Sequence, residues 1–299
     1  MNKFLFALLL LYVAPVQAKL NIFACEPEWG ALAQELGADR VDIYTATTAL
    51  QNPHYIEARP SLLAKARRAD LVICTGAELE AGWLPIVLTQ SGNAKIQASS
   101  PGFFEASSFV VKLEVPQSLD RAQGDVHAAG NPHVHLDPHN IAKIATKLTE
   151  RFAQLDAANA GAYQAQGGAF QEKWRDAIAG WEARAAPLKG LPIVTYHKDM
   201  SYLINWLGLI ELANLEPKPG VPPTTGHLTD LLEQLEKKPA KAIVRSAYSN
   251  PKPAQWLAER ARVPAIVLPF TVGGSEQARN LYGLFDDSVA RLLSATNAQ

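Results

Sequence analysis

The sequence predicts an α/β protein of two similar lobes with mainly parallel sheets, joined by a long backbone helix. Three observations carry this. A β-α-β-α rhythm runs from Leu20 to about Ser91, the pattern of a parallel sheet covered by helices. A long helical stretch follows over about 157–185. The rhythm then restarts at Pro192 and continues to the last helix. With 299 residues, 48% of them hydrophobic, the chain can fill two domains of ordinary size without relying on disulfides.

The elements follow from local pattern. Leu20 to Ala24 is a short apolar strand, and Glu28 to Leu36 a helix with Trp29, Leu32 and Leu36 on one face. Val41 to Tyr44 alternates as a second strand, and the turn-rich stretch Thr45 to Pro53 leads to His54. Ser61 is placed to cap a helix over Leu62 to Ala69. Leu71 to Cys74 is a third strand, closed by Thr75-Gly76. Glu78 to Ser91 reads as helical with a kink at Pro85. From Ala98 to Gly130 the pattern weakens, and Asp125 to Gly130 reads as a mobile loop. Asn140 is placed to cap a helix from Ile141 to about Leu155. Tyr163, Phe170, Trp174, Ile178 and Trp181 then recur at helical spacing as core residues, with Gly167-Gly168 between them as the weak point. In the second lobe, strands are expected at Pro192–Tyr196, Ala242–Arg245 and Ala265–Leu268. Helices are expected at Met200–Leu207, Leu228–Glu236, Pro253–Ala261 and Gln277–Leu293, with Glu216 to Gly226 a proline-rich loop. The divisions are a leader over 1–18, a first lobe over 19–155, the linking helix over 156–187 and a second lobe over 188–299.

Met1-Asn2-Lys3, the apolar run Phe4 to Val13 and the small-residue site Val16-Gln17-Ala18 form a secretory signal, so the mature chain is expected to begin near Lys19 in the periplasm. The formal charge of −1, with no basic run, argues against a nucleic-acid partner. Cys25 and Cys74 both fall at strand ends. A disulfide and two reduced buried thiols fit equally, and a thiol–metal site fits less well because neither lies in a paired-cysteine motif.

Three histidines stand in frames of their own. They are His54 in Asn52-Pro53-His54-Tyr55-Ile56-Glu57-Ala58-Arg59-Pro60, His133 in Asn131-Pro132-His133-Val134-His135-Leu136-Asp137-Pro138, and His197 in Val194-Thr195-Tyr196-His197-Lys198-Asp199. Each belongs to a loop leaving a folded segment. In open α/β sheets ligands bind beyond the carboxyl ends of the strands, so the three can meet at an interlobe cleft. Three neutral imidazoles suit a borderline-soft divalent ion, zinc above all.

These segments resemble the zinc- and manganese-binding solute-binding proteins of bacterial ABC importers, the TroA-like group. The resemblance rests on His54 to Ser61 followed by Ala69-Asp70-Leu71-Val72 and Gly76-Ala77-Glu78-Leu79-Glu80. It continues with Pro132-His133 through Leu136-Asp137-Pro138, then Tyr196-His197 with Trp206-Leu207-Gly208-Leu209 and Glu216-Pro217. It implies two stiffly hinged lobes with one Zn2+ bound in the cleft as cargo by His54, His133 and His197. It also implies delivery to a membrane permease coupled to a cytoplasmic ATPase, with no catalysis. A monomer is expected, and a metallochaperone is a second conceivable partner. Many members add a carboxylate from a late loop, but here that loop reads Leu268-Pro269-Phe270-Thr271-Val272-Gly273-Gly274. Water, His227, Glu26 and Glu57 remain as candidates for a fourth ligand. Zinc binders of the group often carry a histidine-rich loop, of which His127, His135 and His139 are at most a remnant. Asp137 and Asp199 are candidates to orient imidazoles, Asp137 equally a helix cap, and Glu57 with Arg59 a candidate ion pair. A manganese receptor of the same type is the nearest alternative. A secreted mononuclear zinc hydrolase is the alternative from another class, suggested by His133-x-His135-x-Asp137, though it lacks the paired groups that activate water.

Overall fold

The computed structural model describes residues 18–117, 124 and 127–297. The leader expected over 1–18 lies, but for Ala18, outside the described residues, as do 125 and 126 of the expected loop. Within this span the two lobes repeat one architecture.

The first lobe contains β1 (Leu20–Ala24), α1 (Pro27–Gly37), β2 (Val41–Thr45), α2 (Pro60–Ala66), β3 (Leu71–Cys74), α3 (Leu84–Ser91) and β4 (Phe103–Glu105). Two long helices follow, α4 (Pro138–Leu155) and α5 (Ala160–Ala185). The second lobe contains β5 (Pro192–Thr195), α6 (Ser201–Leu207), β6 (Ile210–Asn214), α7 (Thr225–Lys237), β7 (Ala242–Ser246), α8 (Pro251–Ala261), β8 (Ala265–Leu268) and α9 (Leu281–Asn297). The sheet orders are β2-β1-β3-β4 and β6-β5-β7-β8, and every pairing is parallel. The strand order turns back beside β1 and beside β5, the places where open parallel sheets leave a crevice.

Several local expectations are corrected. The helix expected from Glu78 begins at Leu84, because Ala77 and Glu78 both hold positive φ and break it. Pro85 therefore starts a helix instead of kinking one, since its missing N–H falls among the unbonded first-turn donors. Pro60 starts α2 in the same way, so Ser61 lies inside the helix and is not its cap. The cap of α4 is Asp137, which accepts from the His139 N–H at 2.8 Å, and Asn140 donates to the Val134 carbonyl instead. Strands β4 and β6 are edge strands that the pattern left unread.

Helix α5 is continuous through Gly167-Gly168. A Cβ on Gly167 would stand 2.6 Å from Thr149 Oγ1, so this glycine lets α5 lie close against α4. Its aromatic face is buried as expected, with Trp174 stacked on Phe170 and edge-on to Trp181, Tyr282 and Phe285. One apolar cluster runs without a break from β1 through α5 to β5 and α9, so the lobes share a core. Separate smaller clusters fill the outer face of each sheet.

Candidate metal centre

The three histidines reach one point by three routes. His54 leaves the loop after β2. Its backbone N–H donates to Asn52 Oδ1 at 3.1 Å, and Trp83 Nε1 pins the preceding Pro53 carbonyl at 3.0 Å. His197 follows β5 directly, after the Tyr196 N–H has extended the ladder to the Val244 carbonyl. His133 lies on the segment between the lobes, opening a single 3-10 turn over Val134–Leu136. One ring nitrogen from each lies within 4.8 Å of the others, and the ring centroids are 5.7–6.2 Å apart. His133 is buried, whereas His54 and His197 are partly exposed toward the cleft mouth. Beside them opens a cavity of about 210 Å³, lined by Tyr55, Tyr196, Tyr248 and Asn250 among others.

The hydrogen bonds assign two tautomers. His133 Nδ1 is 2.9 Å from Asn131 Oδ1. The Asn131 amide nitrogen donates to Glu114 Oε2 at 2.8 Å and to the Lys198 carbonyl at 2.7 Å, both pure acceptors. Its oxygen therefore faces His133, and the imidazole must donate from Nδ1. That leaves the lone pair on His133 Nε2, which is buried without a hydrogen-bond partner among the described residues. His197 Nδ1 lies 2.6 Å from Glu216 Oε2, which also accepts the Gly220 N–H at 2.8 Å. A carboxylate there holds the proton on Nδ1 and makes Nε2 the more basic nitrogen. Burial, then the neighbouring His54 and His197, hold the His133 pKa well below the ordinary histidine range, which favours the neutral form that a metal requires.

Among the described residues no carboxylate joins this group. Instead the Phe270 ring lies nearly at right angles to those of His133 and His135, with centroids 5.5 and 4.9 Å away. Of the fourth-ligand candidates, His227 Nε2 bonds the Asn214 carbonyl and Glu57 is exposed. Glu26 is buried beside Thr75 and Glu80, where burial and Glu80 raise its pKa well above the usual range. Glu57 and Arg59 form no ion pair; the Arg59 N–H donates to the Glu57 carbonyl. Asp199 is buried and accepts from Ser246 and Tyr248. His127 stacks on His54 at 5.1 Å. His135 is fully buried, with Nε2 on the Phe270 carbonyl and Nδ1 3.2 Å from Glu28, whose other oxygen accepts from Thr271. His139 is an exposed partner of Glu182. Cys25 and Cys74 form a disulfide, which resolves the alternatives left open above. Neither Asn131 nor Glu216 carries a role in the sequence alone, because their value lies in contacts with imidazoles that only the fold makes.

Comparison with known proteins gives the family and the fold. Residues 22–295 match the family model of ZnuA, described as zinc-uptake complex component A, periplasmic. The metal ABC transporter substrate-binding lipoprotein ScbA of Streptococcus cristatus is 21% identical over 262 residues, covering 87% of this chain and 82% of the relative. The manganese ABC transporter substrate-binding lipoprotein PsaA of Streptococcus pneumoniae is 20% identical over 258 residues, covering 85% and 80%. A crystal structure of ZnuA superposes with a TM-score of 0.76 at 18% identity, covering 94% of this chain and 99% of that one. A manganese-bound periplasmic metal-binding protein from Candidatus Liberibacter asiaticus gives 0.75 at 17% identity, covering 94% and 100%. These structural likenesses support the two-lobed fold, and the family match spans nearly the whole chain. The chain therefore belongs to the ZnuA family, the metal-binding periplasmic components of ABC importers.

Proposed function

We propose that this protein captures zinc in the periplasm with His54, His133 and His197 and delivers it to an ABC permease driven by a cytoplasmic ATPase. The observation that carries the reading is the meeting of three imidazole nitrogens from three separate loops, with Nδ1 of His133 and of His197 already committed. Nitrogen donors in a half-buried site suit tetrahedral zinc, and water completes the fourth position. Manganese favours oxygen ligands, and Phe270 occupies the flank of His133. Manganese remains the second reading because relatives such as PsaA are named for it.

The ion is cargo and the protein is not an enzyme. Glu216 serves His197 and the Gly220 N–H, an arrangement that orients a ligand instead of activating water. Export is read from the leader expected over 1–18.

The test is metal content and stoichiometry of residues 19–299 after chelation and reloading with equimolar zinc and manganese, beside His197→Ala. One tightly held zinc, lost in the variant, supports the reading. Preferential manganese overturns the zinc assignment, and no stoichiometric metal overturns the receptor.

A further inference from the structure

We infer that Asn131 is a positioning residue for metal capture, one side chain that fixes the imidazole of His133 and grips the backbone that follows His197. The inference rests on the metal-receptor reading above. Asn131 is buried at 6% exposure and uses both ends of its amide. The oxygen accepts the His133 backbone N–H at 3.0 Å and the His133 Nδ1–H at 2.9 Å. The nitrogen donates to the Lys198 carbonyl at 2.7 Å, and Lys198 is the residue immediately after His197. Its other hydrogen goes to Glu114 Oε2, and the Ser201 hydroxyl lies 3.2 Å away.

The surroundings make this junction stiff. Asn131 N–H donates to the Leu113 carbonyl, and its own carbonyl accepts the Tyr202 hydroxyl at 2.8 Å. The same hydroxyl accepts the Leu113 N–H at 3.0 Å. Lys198 Nζ meets Glu114 Oε1 at 2.9 Å, so Glu114 is held by both Asn131 and the His197 loop. Asn131 is thus placed where the segment carrying one ligand crosses the loop carrying another. Its neutral amide sets the His133 tautomer without adding a charge beside a buried ring, and its second contact fixes the separation of His133 from His197. A metal site needs both, since ligand direction and spacing decide coordination geometry.

The experiment uses the mature chain with Asn131→Ala, Asn131→Asp and Ser201→Ala, titrated with zinc and, separately, loaded with cobalt(II) as a spectroscopic probe of ligand geometry. Asn131→Ala is expected to bind zinc about 10- to 100-fold more weakly, the range for partners of metal-bound histidines. Its cobalt d–d spectrum should change. Asn131→Asp keeps an acceptor for His133 but loses the donor to Lys198, so it should recover affinity and spectrum in part. Ser201→Ala removes a hydroxyl that shares the Lys198 carbonyl and Glu114 Oε2 with Asn131 but leaves the Asn131 bonds to His133 and to Lys198 in place, so its loss should stay well below that of Asn131→Ala. Zinc affinity of Asn131→Ala within about threefold of the parent, with an unchanged cobalt spectrum, overturns the inference. So does an equal loss in Ser201→Ala, which would reduce Asn131 to packing. If Asn131→Ala does not fold, Asn131→Asp decides alone, and parental affinity and spectrum in that variant overturn the link to Lys198. A parent that takes up no zinc or cobalt would instead sink the receptor reading itself.

Discussion

The two lobes share a strand order and even matching ladder bonds, yet in the proposed site they exchange the jobs of ligand and support. Cys25 N–H extends β1 to the Ile73 carbonyl as Tyr196 N–H extends β5 to the Val244 carbonyl, each at 2.8 Å. Ala46 and Leu215 continue β2 and β6 in the same equivalent way. Past these points the lobes differ. The loop after β5 delivers His197, whereas the loop after β1 delivers half of a disulfide and the buried Glu26. The loop after β2 delivers His54, whereas the loop after β6 delivers Glu216, which orients His197. A parallel sheet offers several equivalent loop exits at one crevice, and which exit holds a ligand is a matter of side chains. The first lobe steadies the exit beside its histidine loop with a covalent bond, and the second steadies His197 with the Glu216 hydrogen bond.

The sharpest way to break this comparison is to remove the second lobe's proposed ligand. If the roughly 10–16 kcal/mol of a four-ligand zinc site divides evenly, His197→Ala costs about 2.5–4 kcal/mol, roughly 70- to 900-fold in affinity. His54→Ala should cost about the same from the other lobe. Isothermal titration with zinc in competition with a chelator reads both. A large loss in one and none in the other would mean that the ion sits on one lobe alone.

The supports should fail differently. Replacing Cys25 and Cys74 together by serine removes a cross-link spanning 49 residues and should cost about 2–4 kcal/mol of stability, read by denaturant unfolding of the metal-free protein. Zinc affinity should change far less than stability. Glu216→Gln should do the reverse. It keeps the fold but weakens zinc binding about 10- to 100-fold, because a neutral amide makes His197 Nε2 a poorer donor. Equal loss of affinity from both substitutions would erase the distinction between covalent and hydrogen-bonded support.

What was legible in the sequence follows the same division. The long elements and the three loops that bring His54, His133 and His197 together could be read because hydrophobic period and local turn chemistry act within a few residues. β4 escaped because it has only three residues, and β6 because no residue in it is fully buried, which leaves no alternation to read. The start of α3 differs because Pro85 inside an apolar run reads as a kink, while the left-handed backbone that begins at Gly76 runs on through Ala77 and Glu78, residue types that give no sign of it. The disulfide stayed open because strand adjacency was not known. Asn131 and Glu216 were invisible as supports since each meets its imidazole only through the tertiary fold. Glu28 with His135 and Thr271, a buried polar contact reaching the loop after β8, was missed for the same reason.

Protons give a subtler contrast between the first-lobe support and the ligands. Burial raises the Glu80 pKa from 4.5 to about 7, even though Thr75 and Gly76 N–H groups stabilise its anion. The folded state then binds more protons than the unfolded one between about pH 4.5 and 7, so this group's contribution to stability falls as pH rises across that window. His133 has the opposite sign. Its lowered pKa keeps it neutral where the unfolded chain would protonate, so stability falls as pH drops below about 6.5. Glu80→Gln should therefore make the metal-free protein lose more melting temperature between pH 7 and pH 5 than the parent does. An identical slope in the two proteins would show that Glu80 does not hold its proton in this range.

The smallest effect is expected at His139, two residues past the cap of α4 and in the same motif as His133. Its ring bonds Glu182 at 2.9 Å with both side chains about half exposed, 49% and 48%. Exposed pairs of this kind contribute about 0–1 kcal/mol, and salt screens them. His139→Ala should leave zinc affinity within about twofold and shift stability by less than about 1 kcal/mol. His135, four residues earlier on the buried side, should not be so tolerant, because removing its ring opens space beside Glu28 and leaves the Phe270 carbonyl without its partner in the core. Within seven residues the chain carries a ligand candidate, a buried strut and a surface residue of the same type. Burial and hydrogen-bond partners separate the three. A loss of zinc affinity in His139→Ala as large as in His133→Ala would overturn that separation and restore the whole motif as a metal-binding unit.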